Sequence, residues 1–236
     1  MHYNEKHMNA YSISGFSDPF SSISHLVGAL VFLFYGLKLI HRARGHRASV
    51  FFISIFILSV VFLLSMSGIF HLLDHQSLAR NVLQRLDHAG IFALIAGTFT
   101  PVHGLLFKGF WRWGFLTVIW SLAIIGITIK SIFFNELAEW VGLMFYLGLG
   151  WAGIFSAYLT HKLHGITIIK PLIYGGLAYT AGASLEFLKL PILIPGVIGP
   201  HELFHIAVLL GIAWHWQFVS KLLQLKQSSA GGNNVN

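Results

Sequence analysis

The sequence contains no cysteine and few charged residues. Without cysteine, the chain cannot form a disulfide framework, a thiolate metal site or a cysteine nucleophile. Asp, Glu, Lys and Arg together make up 10% of the 236 residues, whereas roughly a quarter of the residues of a soluble domain are charged. So few charges cannot cover the surface of a soluble globule of this size, and a cytosolic enzyme is therefore excluded.

Apolar residues are correspondingly abundant in the sequence. They account for 56% of the sequence, and the mean hydropathy is +0.72. The net charge of +7 does not indicate nucleic-acid binding, because no basic cluster with interleaved aromatic residues forms a continuous patch outside the apolar runs. We therefore expect an integral membrane protein with no nucleic-acid partner.

Seven apolar runs are long enough to cross a bilayer as helices. A helix needs about 20 residues to cross the hydrocarbon core. The runs fall at residues 23–40, 49–72, 88–107, 113–129, 138–159, 171–187 and 201–222. Strands of a membrane barrel would instead alternate every second residue over about ten residues. The sequence thus predicts an all-α bundle of seven transmembrane helices over residues 23–222, with a polar N-terminal tail at 1–22 and a disordered C-terminal tail at 223–236.

Lys and Arg are distributed unequally between the two membrane faces. The N-terminal tail and the loops after the second, fourth and sixth runs share one face, with five of the 15 basic residues. The other face carries the remaining ten. Because cytoplasmic segments are richer in Lys and Arg, we expect the C-terminus in the cytoplasm and the N-terminus outside.

Polar residues enter two of the predicted helices at four-residue spacing, at the less basic face. Ser67 and His71 lie near the end of the second run, and His201 and His205 begin the seventh. Residues four apart lie on one helical face, and Asp87 precedes the third run at the same depth. Because intramembrane ionisable residues are costly and usually functional, we predict a metal site formed by His71, His201 and His205. Ser67 and Asp87 would lie beside it.

Other ionisable residues at the ends of the runs have simpler interpretations. A single histidine at a helix end is usually interfacial or hydrogen-bonded to the backbone. We expect this for His25, His75, His88, His103 and His215. Asp74, Glu186 and Glu202 are equally compatible with solvated helix ends.

Four motifs together resemble the haemolysin III branch of the progestin and adipoQ receptor family. They are Ser67-x3-His71, RLDHAGIF at 85–92, AGTFTP at 96–101 and HELFH at 201–205. The family has seven membrane helices and belongs to a superfamily that includes alkaline ceramidases. The resemblance implies one zinc ion held by His71, His201 and His205, with Asp87 near the metal water and Ser67 as the family's serine. Adiponectin receptors keep this site towards the cytosol, which is opposite to the orientation that the charges predict.

The motif HELFH also satisfies the HExxH pattern of zinc proteases, in which the glutamate, here Glu202, is the general base. In such proteases the third ligand lies downstream, and only His215 follows His205 in this sequence. His215 is about 15 Å from His205 along the same helix and cannot reach the same ion. An upstream ligand at His71 fits better, which favours the receptor-family interpretation.

Three histidine ligands leave a fourth zinc position for water, as in catalytic sites. Bound zinc lowers the pKa of water to about 7 and polarises a carbonyl. Asp87 would accept the proton of the water, and Ser67 would hydrogen-bond the water or the oxyanion. We therefore expect a zinc-dependent hydrolase of a lipid amide or ester, ceramidase-like, in the bacterial cytoplasmic membrane. Two alternatives are a receptor or sensor with a structural zinc site and a haemolysin-like membrane-lytic factor.

Overall fold

The structure is a computed structural model that describes residues 17–74, 76–194 and 197–231. These residues form eight α-helices, and their only β-type pairing is an isolated bridge between Ile194 and Ile198. The helices are α1 (Pro19–Arg42), α2 (Arg47–Leu72), α3 (Leu78–Leu106), α4 (Phe110–Ile132), α5 (Glu139–Trp151), α6 (Gly153–His164), α7 (Ile166–Leu188) and α8 (Pro200–Gly231). The predicted all-α fold is confirmed.

The helices account for all seven predicted membrane segments. Among the described residues, six segments are long and apolar enough to cross a bilayer, and one of them, Glu139–His164, combines α5 and α6. The remaining segment, α7, has 23 residues but is less apolar, because it contains Lys170 and Glu186 among small and polar residues. The chain is an integral membrane helix bundle.

The third helix begins earlier than the sequence predicted. α3 starts at Leu78, so Asp87 lies more than two turns inside the helix instead of at its start. In the added turns Leu78 and Val82 point outwards and are 85% and 60% exposed, while Arg80 is buried. Because this extension turns Leu78 and Val82 outwards and Arg80 inwards, average hydropathy does not identify it as part of a membrane helix.

The last helix continues beyond its predicted end at residue 222. α8 reaches Gly231, which corrects the prediction that a disordered tail begins at 223. Two side chains from the added turns bind carbonyls of other helices: Lys226 Nζ donates to Leu105 at 3.3 Å, and Gln227 Nε2 donates to Arg42 at 2.7 Å. Most of the predicted N-terminal tail, the end of the predicted C-terminal tail and His75 lie outside the described residues.

The tightly packed part of the bundle lies between α1, α2, α3 and α8. Phe56, Leu94 and Ile212, from α2, α3 and α8, are buried in one hydrophobic cluster. A glycine permits the close approach of α2 and α3, since a Cβ at Gly90 would lie 2.9 Å from Cα of Leu63. This packing fixes the end of α2 against the other helices and so positions the side chains described next.

Candidate metal centre

His71, His201 and His205 meet at one end of the bundle. His71 belongs to the last turn of α2, whereas His201 and His205 lie one turn apart at the start of α8. One ring nitrogen from each residue can be chosen so that all three atoms lie within 4.8 Å of one another. The structure therefore brings together three residues that the sequence analysis selected from separate helices.

Two of the three spacings between the ring nitrogens match those of a tetrahedral metal site. Nε2 of His201 lies 3.2 Å from Nε2 of His71 and 3.1 Å from Nε2 of His205. Two nitrogens bound to one ion at 2.0–2.1 Å with tetrahedral angles are about 3.3 Å apart. The three histidines are thus close enough to hold one metal ion.

A carboxylate that the sequence analysis missed holds the His71 ring. His71 Nδ1 donates a hydrogen bond of 2.9 Å to Oδ2 of Asp18, and Arg80 Nη2 donates to the same oxygen at 3.0 Å. Burial alone would raise the pKa of the Asp18 carboxyl, but the hydrogen bonds from His71 and Arg80 outweigh it and bring the pKa to about 2. With Nδ1 bound to this carboxylate, His71 presents Nε2 to the other two histidines.

A second carboxylate lies beside His201. Oε1 of Glu186 is 3.6 Å from His201 Nδ1 and accepts a hydrogen bond of 2.9 Å from Lys189 Nζ. Glu186 also lines the cavity that contains the histidines. It is therefore part of the surroundings of the cluster and not merely a solvated end of α7.

Asp87 and Ser67 line the same cavity as the three histidines. Ser67 is buried one turn before His71 on α2, and its hydroxyl lies beside the Asp87 carboxyl. Both residues thus lie next to the cluster, although Asp87 reaches it from within α3.

Glu202 is directed away from the cluster. Its Oε2 accepts a hydrogen bond of 2.9 Å from the backbone N–H of Gly199, and its Oε1 accepts one of 3.4 Å from the Ser21 hydroxyl. Glu202 is absent from the cavity wall among the described residues. An acid that binds an N–H at the start of a helix is stabilised by the helix dipole, which is sufficient to explain this glutamate.

Four of the five single histidines that the sequence places at the ends of the runs lie within the described residues, and they divide into two groups. His88, His103 and His215 each hydrogen-bond a backbone carbonyl, as expected. For His25 the expectation was wrong, because its ring is buried with its centroid 3.9 Å from that of His205. Neither ring nitrogen of His25 has a hydrogen-bond partner within the described residues.

A cavity of about 670 Å³ extends from the cluster into the bundle. All eight helices contribute to its walls, α1 through His25 and α4 through Lys130, and it is lined mainly by apolar side chains such as Leu94, Leu147 and Val208. Along α3 the lining runs from Gln84 to Val102, a rise of about 27 Å. The cavity therefore joins the polar cluster to the apolar interior across much of the membrane thickness.

Comparisons with known proteins agree with the motifs in the sequence. A family model described as Haemolysin-III related matches residues 16–216. The protein Hemolysin-3 of Bacillus cereus is 30% identical over 200 residues, which cover 82% of this chain and 85% of that protein. Hemolysin-3 homolog of Bacillus subtilis (strain 168) is 30% identical over 171 residues, covering 72% and 79%. Heptahelical transmembrane protein 5 of Arabidopsis thaliana is 28% identical over 180 residues, covering 69% of this chain and 47% of that protein. The chain belongs to the haemolysin III-related family of membrane proteins.

Proposed function

We propose that this protein is a zinc-dependent hydrolase that cleaves an amide or ester bond of a membrane lipid. One observation carries the proposal: three convergent histidines, Asp87 and Ser67 lie at one end of a long, mainly apolar cavity. Polar groups suited to hydrolysis and a space suited to a hydrocarbon chain thus meet in one place.

The donor set favours zinc. Imidazole nitrogens suit zinc, and three of them leave a fourth coordination position open, as in catalytic zinc sites. Zinc bound there would supply a Lewis acid and a water molecule activated at neutral pH. His71, His201 and His205 would hold the ion, and the Asp18 carboxylate would keep the His71 ring in the required orientation.

Asp87 and Ser67 have separate roles in the proposed reaction. The Asp87 carboxylate accepts a proton from the attacking water and returns it to the leaving amine or alcohol. The Ser67 hydroxyl donates a hydrogen bond to the carbonyl oxygen as negative charge develops on it. The apolar surroundings exclude water, and this strengthens both interactions.

The shape of the cavity supports a lipid substrate. Its volume of about 670 Å³ lies within the range of about 300–1,000 Å³ typical of small-molecule sites. An acyl chain would lie along the apolar walls with its carbonyl beside Asp87 and Ser67. The alkaline ceramidases of the superfamily provide an analogy for the cleaved bond.

A receptor or sensor with a structural metal site is the second candidate. It is favoured by the origin of the three ligands, since His71 lies on α2 while His201 and His205 lie on α8. An ion bound by all three would tie the first half of the bundle to its last helix. In that case chelation would lower the melting temperature and no lipid would be hydrolysed.

Mass spectrometry of lipids distinguishes the two candidates. Purified wild-type protein, the His71→Ala variant and the Asp87→Asn variant are incubated with a total lipid extract, and the products are compared. His164→Ala is a matched control, because His164 is exposed at the end of α6. We expect released fatty acid with wild type and the control only. A metal-loaded wild type that leaves every lipid unchanged would favour the structural role.

A further inference from the structure

Lys130 is buried near the end of α4, where the sequence analysis placed a loop residue. Only 9% of its surface is exposed, and it lines the same cavity as Asp87 and the histidines. Within the described residues, no carboxylate oxygen lies within 4.0 Å of its Nζ and no acceptor forms a hydrogen bond with it. The Phe134 ring beside Nζ does not neutralise its charge, and an unneutralised cation is costly in a membrane, so this lysine requires an explanation.

The surroundings of Lys130 connect it to the candidate reaction site. Its Nζ lies 4.7 Å from the centre of the Phe134 ring. The His88 ring packs edge-on against the same phenylalanine, with centroids 5.0 Å apart. Phe134 thus contacts both Lys130 and His88, and Asp87, His88 and Lys130 all line the cavity.

The wall of α5 opposite Lys130 adds a hydrogen-bond donor. A Cβ at Gly142 would lie 3.7 Å from Lys130 Nζ, so the lysine reaches this helix at a residue without a side chain. Tyr146 is one turn further along α5 and also lines the cavity, and its hydroxyl is buried with no partner in the described part of the chain. A cation and an unpaired hydroxyl therefore face the same space.

Position in the helix does not account for this arrangement. A lysine near a helix C-terminus is favoured by the helix dipole, and a long side chain there can extend to the membrane surface. Lys130 instead turns inwards. The charge of Glu139 acts on Lys130. Its side chain is exposed, however, and its carboxylate lies beyond ion-pair distance of Nζ.

We propose that Lys130 binds an anionic group, a phosphate or a carboxylate, on the polar part of the lipid. The inference rests on the proposed function, which places the acyl chain in the cavity and the scissile carbonyl beside Asp87. It narrows the substrate to an acyl amide or ester with a negatively charged headgroup. The lysine ammonium neutralises that charge, as lysine does for phosphates elsewhere, and the Tyr146 hydroxyl donates a hydrogen bond to the same group.

Equilibrium binding tests this inference without requiring turnover. The protein in uncharged detergent is titrated with three lipids that share one oleoyl chain: lysophosphatidic acid, N-oleoylglycine and monooleoylglycerol. Wild type should bind at least one of the anionic lipids about tenfold more tightly than the neutral one, the scale of one charge-assisted hydrogen bond. Lys130→Gln should abolish this preference and leave binding of monooleoylglycerol unchanged, whereas Lys130→Arg should retain it. A preference for lysophosphatidic acid would identify the bound group as a phosphate, and a preference for N-oleoylglycine would identify it as a carboxylate.

Arg85→Gln is the matched control. The Arg85 guanidinium lies 5.8 Å from the same Phe134 ring, but the residue is exposed at the membrane boundary. Equal binding of all three lipids by wild type and Lys130→Gln would overturn the inference. A preference lost in Arg85→Gln and kept in Lys130→Gln would also overturn it, since the anion would then be a surrounding membrane lipid. Lys130→Met provides a second neutral variant if the glutamine variant does not fold.

Turnover of the same three lipids by the metal-loaded wild type separates this inference from the proposed function. A charge preference in binding by a wild type that hydrolyses none of them would support the lysine site and contradict the hydrolase. Hydrolysis of neutral and anionic lipids at equal rates by wild type, with no difference in binding, would support the hydrolase and contradict the lysine site.

Discussion

His71 and Asp18 are 53 positions apart, yet Nδ1 of the histidine lies 2.9 Å from Oδ2 of the aspartate. Arg80 binds the same carboxylate oxygen at 3.0 Å. A carboxylate that accepts the second N–H of a ligand histidine fixes its tautomer and raises the basicity of the coordinating nitrogen. Three segments, the start of α1, the end of α2 and the start of α3, thus act together on one imidazole.

Asp18→Asn should weaken metal binding without unfolding the protein. Loss of such a carboxylate typically costs about 10–100-fold in metal affinity, and we expect a decrease in that range in a competition titration against a chelator. Asp74→Asn is the control, because Asp74 is an exposed acid whose carboxylate, within the described part of the chain, binds only the nearby backbone N–H of Gln76. Equal affinities in wild type and Asp18→Asn would show that the contact does not orient a ligand.

Substitution of Asp87 should reduce the rate of hydrolysis far more than substitution of Glu202. Glu202 binds the Gly199 N–H and lies outside the cavity wall, whereas Asp87 lines the cavity beside Ser67. We expect Asp87→Asn to keep the metal and lose at least about a hundredfold in rate, the scale for a general base. Glu202→Gln should keep the metal and most of the rate. An inactive Glu202→Gln beside an active Asp87→Asn would indicate a protease-like mechanism.

Gly90→Ala should destabilise the bundle by separating α2 from α3. The new Cβ would lie 2.9 Å from Cα of Leu63, a backbone atom that cannot move by itself. Overpacking of this kind costs about 1–3 kcal/mol and should lower the melting temperature in detergent. Gly148→Ala is the control, since apart from the adjacent backbone of its own helix no atom of the described residues lies within 4 Å of the new Cβ. A melting temperature for Gly90→Ala equal to that of the control would contradict the packing argument.

The orientation in the membrane stays a prediction. The C-terminal face carries ten of the 15 basic residues, so a reporter fused to the C-terminus should be active in the cytoplasm. The burial of Lys130 increases the asymmetry, because this lysine no longer counts towards the other face. A reporter active only outside would place the metal centre in the cytosol, as in adiponectin receptors.

Much of the fold could be predicted from the sequence, because length and apolarity decide whether a helix crosses a bilayer. The same criterion failed for residues 78–87, where Arg80 turns inwards to bind Asp18 and two backbone carbonyls. It also failed at the end of α8, where polar side chains bind carbonyls of neighbouring helices. Average hydropathy records how many charges a segment has, but not which way they point.

The histidine cluster could be predicted because four-residue spacing and helix order define both the face and the depth of a side chain. Asp18 and Lys130 could not, since each contacts a distant segment and neither belongs to a spaced pair. Glu186 is ambiguous in the sequence for a similar reason, since its 3.6 Å approach to His201 and its place in the cavity wall distinguish it from a solvated helix end. The roles of these residues depend on contacts between helices and not on the spacing of residues within one helix.

The metal content of the purified protein tests the central claim most directly. We expect close to one zinc per chain in wild type by elemental mass spectrometry, and a loss of most of it in both His71→Ala and His205→Ala. These variants should also melt at a lower temperature, because the stabilisation from binding is lost. His103→Ala is the control, since His103 is buried but binds Ser156 and the Trp111 carbonyl instead of the cluster; it should keep its zinc. Undiminished zinc in both cluster variants, or none in wild type, would contradict the account.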